Sequence, residues 1–263
     1  MANKDSFKQR QIKLYRSLHY RKYREKNNLV VLEGFQLLNE AVRAGLQIKT
    51  VIYTSDFAEK KESRLLLEQI EGANYLLIDA KTFNKIAQTE NPQGIGAIAR
   101  APGLGFNFLL DREKSFYLVL DGIQDPGNMG TIIRTAAAAA VDGVILLPGA
   151  VDPFNPKALR ASMGGSFFLP LALLKSYEEW TEICQRRHFQ VIATDPEGDF
   201  LFHEIDFRLP SAVIIGNENK GLSREAAKTA DKTSRIPING EIASLNAAIA
   251  ASVFIFERAR QIS

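Results

Sequence analysis

The chain has 263 residues, of which 46% are hydrophobic and 24% are charged, and its formal net charge is +3. These values are typical of a folded protein of one or two domains and exclude a disordered chain, which would carry fewer apolar residues. The N-terminal residues form no apolar signal segment, and the longest uncharged apolar stretch, residues 245–256, is shorter than the ~20 residues that span a bilayer. We expect neither secretion nor membrane insertion.

Cysteine and histidine usage gives two further expectations. Cys184 is the sole cysteine, so no intramolecular disulfide can form, which suits a reducing, cytoplasmic location. The histidines, His19, His188 and His203, are far apart and have no neighbouring cysteine or histidine at ligand spacing. The sequence therefore predicts no metal site.

The first 28 residues are strongly basic. They hold nine Lys and Arg side chains against two acidic ones, a local net charge of +7, whereas the other 235 residues hold 24 basic and 28 acidic side chains. Tyr15, His19, Tyr20 and Tyr23 lie among those cations, so the segment offers partners for phosphates and faces on which bases stack. The segment is either a nucleic-acid-binding surface or a solvated basic helix, and charge alone leaves both open.

Short apolar runs then alternate with helical patterns and predict a small α/β domain. Gly45 ends one of its helices in the C′ position. The Pro/Gly-rich residues 101–106 and the charged residues 111–114 are typical of a linker, so we place the domain boundary near residue 107. The predicted strands are 29–32, 48–53, 75–78 and 95–99, and the predicted helices are 35–44, 59–70 and 82–87.

The second domain, residues 108–263, shows continuous apolar strands alternating with helices, which predicts a mostly parallel sheet covered on both faces. Ligands of such sheets bind at the carboxyl ends of the strands, so the loops that follow the strands are the candidate site. The predicted strands are 116–120, 143–147, 168–173, 190–194, 212–215 and 235–238, and the predicted helices are 130–140, 156–161, 177–187, 223–230 and 244–260.

The loop after strand 116–120 is rich in glycine and leads into a helix. Backbone N–H groups at such a turn favour a polar or anionic ligand. The loop lacks the spacing of a dinucleotide fingerprint or a P-loop, which argues against a nucleotide-binding metabolic enzyme. Asn128 is suited to cap the helix. Arg134 emerges from a face of alanines, and it is either a surface arginine or a functional group near the loop.

Two later loops are also polar. Residues 216–223 have glycines at both ends and Ser223 as the predicted cap of the next helix, and Glu218 would repel a bare phosphate, so a cationic or hydroxyl-bearing ligand fits better. Residues 235–246 include an Asn-Gly turn and Ser244, the predicted N-cap of the last helix. Small residues in that helix permit close packing against another element or another subunit.

Together, in this order and spacing, the three segments resemble the motifs of the SpoU (TrmH-like) branch of the SPOUT RNA methyltransferases. Asn128-x-Gly130-x-x-x-Arg134 is similar to motif 1, Ile215-Gly-Asn-Glu-x-x-Gly-Leu to motif 2, and Ile236-Pro-Ile-x-Gly with Ser244-Leu-Asn to motif 3. The first domain resembles the L30e-like substrate-binding domain of this branch, through Leu32-Glu-Gly-Phe and Pro92-Gln-Gly-Ile.

The resemblance implies an α/β fold: a basic arm and an L30e-like RNA-binding domain in residues 1–107, then a SPOUT domain with a deep C-terminal trefoil knot in residues 108–263. It implies a homodimer that transfers a methyl group from S-adenosylmethionine to a ribose 2′-hydroxyl of structured RNA, with 23S ribosomal RNA as the expected target and transfer RNA as the alternative. A non-catalytic RNA-binding or ribosome-assembly protein is the other alternative. The implied catalytic residues are Asn128, Arg134, Glu218, Ser244 and Asn246, and the implied cofactor-binding residues are Thr194, Gly216, Ile236, Ile238, Leu245 and Asn246.

Methyl transfer to a ribose oxygen needs positioned reactants and no metal. The family proposal makes Arg134 the general base, but a guanidinium holds its proton above pKa ~12. Electrostatic stabilisation of the developing alkoxide is at least as good a role, and the sequence leaves both open. In an RNA enzyme the basic segment would hold backbone phosphates, so we expect deletion of residues 1–26 to weaken RNA binding. The expected RNA-binding residues are Lys8, Arg10, Lys13, Arg16, Arg21, Lys22 and Arg24.

Overall fold

The computed structural model describes residues 2–105, 115–186, 189–242 and 244–263. Its N-terminal part alternates helices with short strands. In chain order the elements are α1 (Ala2–Ser17), α2 (Arg21–Asn27), β1 (Leu29–Glu33), α3 (Phe35–Arg43), β2 (Ile48–Tyr53), α4 (Ser55–Ala58), α5 (Lys61–Glu68), β3 (Asn74–Leu77), α6 (Ala80–Ile86) and β4 (Ile95–Arg100).

The C-terminal part continues the alternation. Its elements are β5 (Phe116–Leu120), α7 (Pro126–Ala138), β6 (Gly143–Leu146), α8 (Pro156–Ser162), α9 (Gly165–Phe168), β7 (Leu171–Leu173), α10 (Tyr177–Arg186), β8 (Gln190–Thr194), β9 (Phe200–Leu201), a short 3-10 helix (Phe202–Glu204), β10 (Ser211–Ile215), α11 (Arg224–Ala227), β11 (Lys232–Arg235) and α12 (Ala247–Ile262). Within the described chain, every helix falls short of the length or the apolar character that crossing a bilayer requires.

The chain divides into two compact units. The first unit comprises Met1–Pro102 and Phe154–Phe167, and the second comprises Gly103–Pro153 and Phe168–Ser263. The predicted boundary near residue 107 lies among residues 106–114, outside the described part of the chain. Helix α8 belongs to the first unit, where it contacts β1 and buries Ala158 and Leu159. This placement differs from the prediction that the helix belongs to the second domain.

In the first unit, the described strands form a four-stranded sheet in the order β1-β4-β2-β3, with β4 antiparallel to both β1 and β2 and with β2 parallel to β3. Ile12 and Tyr15 of α1, and Leu18 directly after it, belong to the core of this unit. The basic segment is therefore an amphipathic part of the fold, with an apolar side that is buried and a charged side that faces solvent.

The second unit contains a sheet of seven described strands in the order β7-β6-β5-β10-β8-β11-β9, and each of their pairings is parallel. This confirms the predicted mostly parallel sheet. The inner strands β5 and β10 are buried along their whole length. Because all strands run the same way, the loops after β5, β10, β8 and β11 leave from one edge of the sheet.

Two predicted strands are wrong in position. Residues 168–173 divide into the end of α9 and the short strand β7, with Pro170 between them, because the residue before a proline is driven out of the helical conformation. The last strand is Lys232–Arg235 rather than 235–238. Pro237 explains the shift, because it has no N–H to donate to a β-ladder.

Candidate active site

The loops after β8, β10 and β11 enclose a cavity of about 250 Å³ in the second unit. All the residues predicted to bind the cofactor, except Asn246, line this cavity: Thr194, Gly216, Ile236, Ile238 and Leu245. Glu218 and Ser244, which were predicted to be catalytic, line it too. The lining also includes Asp195, Asn217, Ser234 and Phe254, which were not among the predicted catalytic or cofactor-binding residues.

A chain of hydrogen bonds joins the three motifs beside this cavity. The Asn246 Oδ1 atom accepts hydrogen bonds from the N–H groups of Ala248 and Ile249, so its Nδ2 atom must be the donor on the other side. Asn246 Nδ2 donates to Asn128 Oδ1 over 2.9 Å, and Asn128 Nδ2 donates to Glu218 Oε1 over 2.8 Å. The polarity of both amides is thus fixed by a helix N-terminus at one end and by a carboxylate at the other.

Helix α7 positions Asn128. The N-cap of α7 is Asp125, whose side chain accepts a hydrogen bond from the N–H of Asn128, and Pro126 follows at the first helical position. The predicted capping role of Asn128 is therefore wrong. Because Asp125 satisfies the backbone, the side chain of Asn128 is available for its bonds to Glu218 and Asn246.

Helix α12 positions Asn246. Ser244 was predicted to be the N-cap of this helix, but Asn246 takes that position. Ser244 is exposed and lines the cavity two residues earlier, and among the described residues its hydroxyl has no hydrogen-bond partner. The two residues therefore differ in role: Asn246 caps the helix and bonds Asn128, whereas Ser244 belongs to the cavity lining.

A buried carboxylate holds the loop after β10. Asp121, at the end of β5, is only 2% exposed. Its Oδ2 atom accepts from the N–H of Ser223 at 2.6 Å, and its Oδ1 atom accepts from the Tyr177 hydroxyl at 2.8 Å. Burial, and next the contact with Asp121, raise the pKa of Tyr177, which therefore remains a neutral donor. Sequence reasoning missed Asp121, although an acidic residue directly after a buried strand was a usable signal.

Asn217 fixes the same loop from inside. Its Nδ2 atom donates to the carbonyl of Gly122, and its Oδ1 atom accepts from the N–H groups of Asn219 and Lys220. The backbones of Asn217 and Gly221 also exchange two hydrogen bonds, of 2.9 and 3.0 Å. This tight turn leaves Glu218, at its start, in one defined place against the cavity.

Glycine is required at both ends of this turn. A Cβ atom on Gly216 would lie 2.6 Å from the carbonyl carbon of Gly221, closer than side chains approach a backbone. Gly221 has a φ of +67°, in the left-handed region that favours glycine. The glycines therefore allow the loop to fold back on itself beside the cavity.

Arg134 is exposed on α7, six residues after Asn128. Six residues of α-helix correspond to a rise of about 9 Å. Among the described residues Arg134 has no ion pair or hydrogen bond, and the structure does not join it to the chain formed by Asn128, Glu218 and Asn246. Of the five predicted catalytic residues, Arg134 is the one that, within a single copy of the chain, neither lines the cavity nor joins the hydrogen-bond chain.

The basic segment divides into an outward and an inward set. The exposed residues predicted to bind RNA are Arg10, Lys13, Arg16, Arg21 and Lys22, and Lys8 is half-buried. The prediction that Arg24 binds RNA is wrong. Arg24 is only 4% exposed, and its Nη1 atom donates to the carbonyls of Leu18 and His19. Tyr15 is fully buried, so it offers no face for stacking. Both residues hold the corner between α1 and α2.

The described residues contain no group of three or more His, Cys, Asp or Glu side chains that could hold a metal ion. The polar groups around the cavity instead come from side-chain amides, the carboxylates of Asp195 and Glu218, hydroxyls and the backbone. Such a site suits binding and orientation of a polar organic ligand.

Comparison with known proteins identifies the family. Residues 115–256 match the model of the SpoU rRNA Methylase family, and residues 9–97 match the MRM3-like substrate binding domain. An uncharacterized tRNA/rRNA methyltransferase of Synechocystis sp. is 35% identical, over 95% of this chain and 90% of that protein. The 23S rRNA (guanosine(2553)-2′-O)-methyltransferase RlmP of Bacillus subtilis is 30% identical, over 97% of this chain and 98% of that protein.

The fold agrees with this match. The crystal structure of the SpoU methyltransferase AviRb from Streptomyces viridochromogenes, in complex with the cofactor AdoMet, has a TM-score of 0.88 and 28% identity, and the alignment covers 96% of this chain and 97% of that one. The fold class is therefore SPOUT, which implies a C-terminal trefoil knot. The resemblance drawn from the three motifs is confirmed: the chain belongs to the SpoU rRNA methylase family.

Proposed function

We propose that this protein transfers the methyl group of S-adenosylmethionine to a ribose 2′-hydroxyl of 23S ribosomal RNA. The observation that carries the proposal is the hydrogen-bond chain from Asn246 through Asn128 to Glu218, beside a cavity, in a member of the SpoU family. The name of the Bacillus subtilis relative gives the 2′-oxygen and 23S rRNA as its target, which supports this substrate over transfer RNA.

The cavity fits the proposed methyl donor. Its lining is apolar at Ile236, Ile238 and Leu245, where an adenine ring would be held, and polar at Thr194 and Glu218. S-adenosylmethionine supplies a methyl group on a positively charged sulfur. The carboxylate of Glu218 favours a cation in this cavity, whereas it would repel a bare phosphate.

The residues beside the cavity would orient the ribose and manage charge. Methyl transfer forms an O–C bond, breaks an S–C bond and requires the hydroxyl proton to leave. The amide of Asn128, held at both ends, restricts Glu218 to one orientation, so the approach of the hydroxyl is fixed before reaction. Arg134 acts on the developing alkoxide through its positive charge, because a guanidinium keeps its proton at neutral pH.

A homodimer completes this site in our proposal. Arg134 lies exposed on α7, and Ile249 and Phe256 lie exposed on α12, which packs against α7. Exposed apolar side chains on a helix adjoining an unpaired catalytic candidate favour a second copy of the chain as the occupant of this face. The second copy would cover these side chains and give Arg134 its neighbours.

The exposed cations of α1 and α2 would hold RNA phosphates. Deletion of residues 1–26 is a poor test of this role, because Ile12, Tyr15 and Leu18 belong to the core of the first unit. Charge-neutral substitutions at exposed positions such as Lys13 and Arg16 leave that core intact. A cytoplasmic location, where ribosomal RNA is made and assembled in bacteria, fits the proposal and stays a prediction.

The experiment that tests the proposal is methyl transfer from radiolabelled S-adenosylmethionine to total RNA from a strain that lacks the protein, followed by nucleoside analysis. We expect label in a 2′-O-methylated nucleoside that maps to 23S rRNA. Label on a base would contradict the ribose assignment, and label in transfer RNA would replace the target. Cofactor binding without any transfer to naked RNA or to ribosomal particles would favour the non-catalytic alternative.

Two variants test the assigned residues. Asn128→Ala and Arg134→Ala should keep S-adenosylmethionine binding, measured by calorimetry, and lose about 100-fold or more in the rate of methyl transfer, since each removes a group that orients or stabilises the reacting atoms. Thr131→Ala is the matched control, because Thr131 is exposed on the same helix between them. Turnover at the control rate by either variant would remove that residue from the catalytic set.

A further inference from the structure

Two tyrosines of the basic segment are exposed on the short helix α2. Tyr20 is 69% exposed, more than any other large hydrophobic side chain in the described residues, and Tyr23 is 42% exposed. Tyr20 is the N-cap of α2, and Tyr23 follows three residues later, so the two side chains leave the backbone within one helical turn of each other. The side chains next to them, Lys22 and Arg21, are also exposed.

These tyrosines have no evident structural role. In the described part of the chain, neither hydroxyl has a hydrogen-bond partner, and neither ring packs against another aromatic ring. Tyr75 shows the contrast. It is 41% exposed, but its hydroxyl lies 2.8 and 2.6 Å from the carbonyl oxygens of Leu67 and Ile70, and its ring packs edge-on against Tyr53. The hydroxyl and the ring of Tyr75 therefore have partners within the fold, whereas the side chains of Tyr20 and Tyr23 are exposed without such partners among the described residues.

The corner that carries these rings is rigidly built. Leu18 is fully buried directly before it, and Arg24 turns inward from α2 to bond the carbonyls of Leu18 and His19. The His19 ring lies edge-on against Tyr15, and its Nε2 atom is 3.2 Å from the carbonyl oxygen of Ile86. Because the backbone under the two tyrosines is fixed, little conformational entropy of the chain is lost when a ligand stacks on them.

The charge around the rings specifies the partner. Arg16 is exposed at the end of α1, Lys22 and Lys26 are exposed on α2, and Glu25 is engaged by Arg21 through a 2.7 Å ion pair. Aromatic faces interleaved with cations are the arrangement that binds single-stranded nucleic acid, since each base has a face to stack and each phosphate needs a cation. Bases inside a duplex have no face to offer.

We propose that Tyr20 and Tyr23 form a stacking surface for unpaired nucleotides of the RNA substrate, with Arg16, Lys22 and Lys26 on the adjoining phosphates. This inference rests on the proposed function for the identity of the polymer. It adds a preference: the first unit distinguishes RNA with an unpaired loop or bulge from a continuous duplex.

The test compares two RNA probes of equal length with the full chain, a hairpin whose loop holds unpaired purines and a continuous duplex, by fluorescence anisotropy over a series of KCl concentrations. We expect the wild-type protein to prefer the hairpin. Tyr20→Leu and Tyr23→Leu should each weaken hairpin binding about 5-fold or more and leave duplex binding unchanged. The slope of log K against log salt should stay the same, because no cation is removed.

Three controls separate stacking from other causes. Tyr20→Phe and Tyr23→Phe should bind the hairpin like the wild type, because stacking needs the ring and not the hydroxyl. Lys22→Gln should lower the salt slope and weaken both probes alike. Tyr75→Leu should leave the ratio between the probes unchanged.

The inference is overturned if the double variant Tyr20→Leu/Tyr23→Leu keeps the wild-type preference, or if the wild type shows none. It is overturned equally if the double variant changes the sedimentation of the protein instead of its choice of RNA, since the rings would then contact another protein chain. Methyl transfer at saturating total RNA distinguishes failure of the stacking surface from failure of the proposed function. Normal transfer by the double variant with unchanged preference removes only the stacking surface, whereas absence of transfer by the wild type removes the proposed function.

Discussion

Burial controls the chemistry of the one cysteine. Cys184 lies on α10 against the core of the second unit, and burial raises its pKa from 9.0 to about 12, with the Asp231 carboxylate adding to the effect. At pH 8 the native thiolate fraction is then about a thousandfold lower than in the unfolded chain. Because the unfolded thiol ionises first, this group also makes the fold less stable as the pH rises above 9.0.

We expect a chromogenic disulfide reagent to modify the native protein at pH 8 far more slowly than the urea-unfolded chain, with one equivalent released on unfolding. The sole cysteine makes the signal unambiguous. Equal rates in the two states would show that the thiol is accessible and ionised in the native fold.

Among single residues, the sequence predicted which side chains meet at the site. It did not predict which of them cap the helices by bonding backbone N–H groups. Asn128, Glu218 and Asn246 meet as the motifs implied, but the cap of α7 is Asp125 and the cap of α12 is Asn246. Several residues at each helix start could serve as the cap, and only the final packing selects one. Arg24 was misassigned for the same reason, because a charge count does not reveal that a guanidinium bonds carbonyls inside the fold.

Helix α12 couples its own stability to the site through Asn246. Asn246→Ala removes the cap and should lower the free energy of unfolding by about 1 kcal/mol, while also breaking the bond to Asn128. Asn246→Asp keeps an acceptor for the N–H groups of Ala248 and Ile249, and a carboxylate is favourable at a helix N-terminus. It has no proton to donate to Asn128, so in either orientation of the Asn128 amide one of its two contacts becomes a repulsive contact between oxygens.

We therefore expect both Asn246 variants to lose methyl transfer and only the alanine variant to lose stability, as measured by urea unfolding beside the transfer assay. The aspartate variant at wild-type turnover would show that the polarity of the hydrogen-bond chain is irrelevant. An alanine variant of unchanged stability would show that the cap contributes little to α12.

Elements with a strong local signal were predictable. Strands 48–53, 116–120 and 190–194 have the predicted bounds, because each is a mainly β-branched or apolar run. The misplaced strands both involve proline, at positions 170 and 237, where the backbone of the proline and of the residue before it overrode the apolar pattern. Apolar periodicity reports burial, and it does not report whether an N–H is present to join the sheet.

Long-range arrangement was beyond the sequence. The sequence predicts residues 156–161 as one more helix of the second domain, yet residues 154–167 belong to the first unit. Their apolar pattern indicates that Ala158 and Leu159 are buried, but it does not indicate which element they pack against. The trefoil knot is a similar case, because threaded chains are too rare to infer from local patterns and came here only through the family.

In our proposal the site also depends on a property of the whole molecule, its oligomeric state. Ile249 and Phe256 are seven residues apart on α12, two helical turns on one face, and are 53% and 56% exposed. We expect the wild-type protein to sediment as twice its 29.2 kDa chain mass. Phe256→Glu should give a folded monomer, because a carboxylate would be desolvated in the interface, and methyl transfer should fall with the dimer fraction.

Lys228→Glu, at an exposed position outside α7 and α12, should remain dimeric. A wild-type chain that is monomeric at every concentration and still transfers methyl groups would place the whole site, Arg134 included, within one copy.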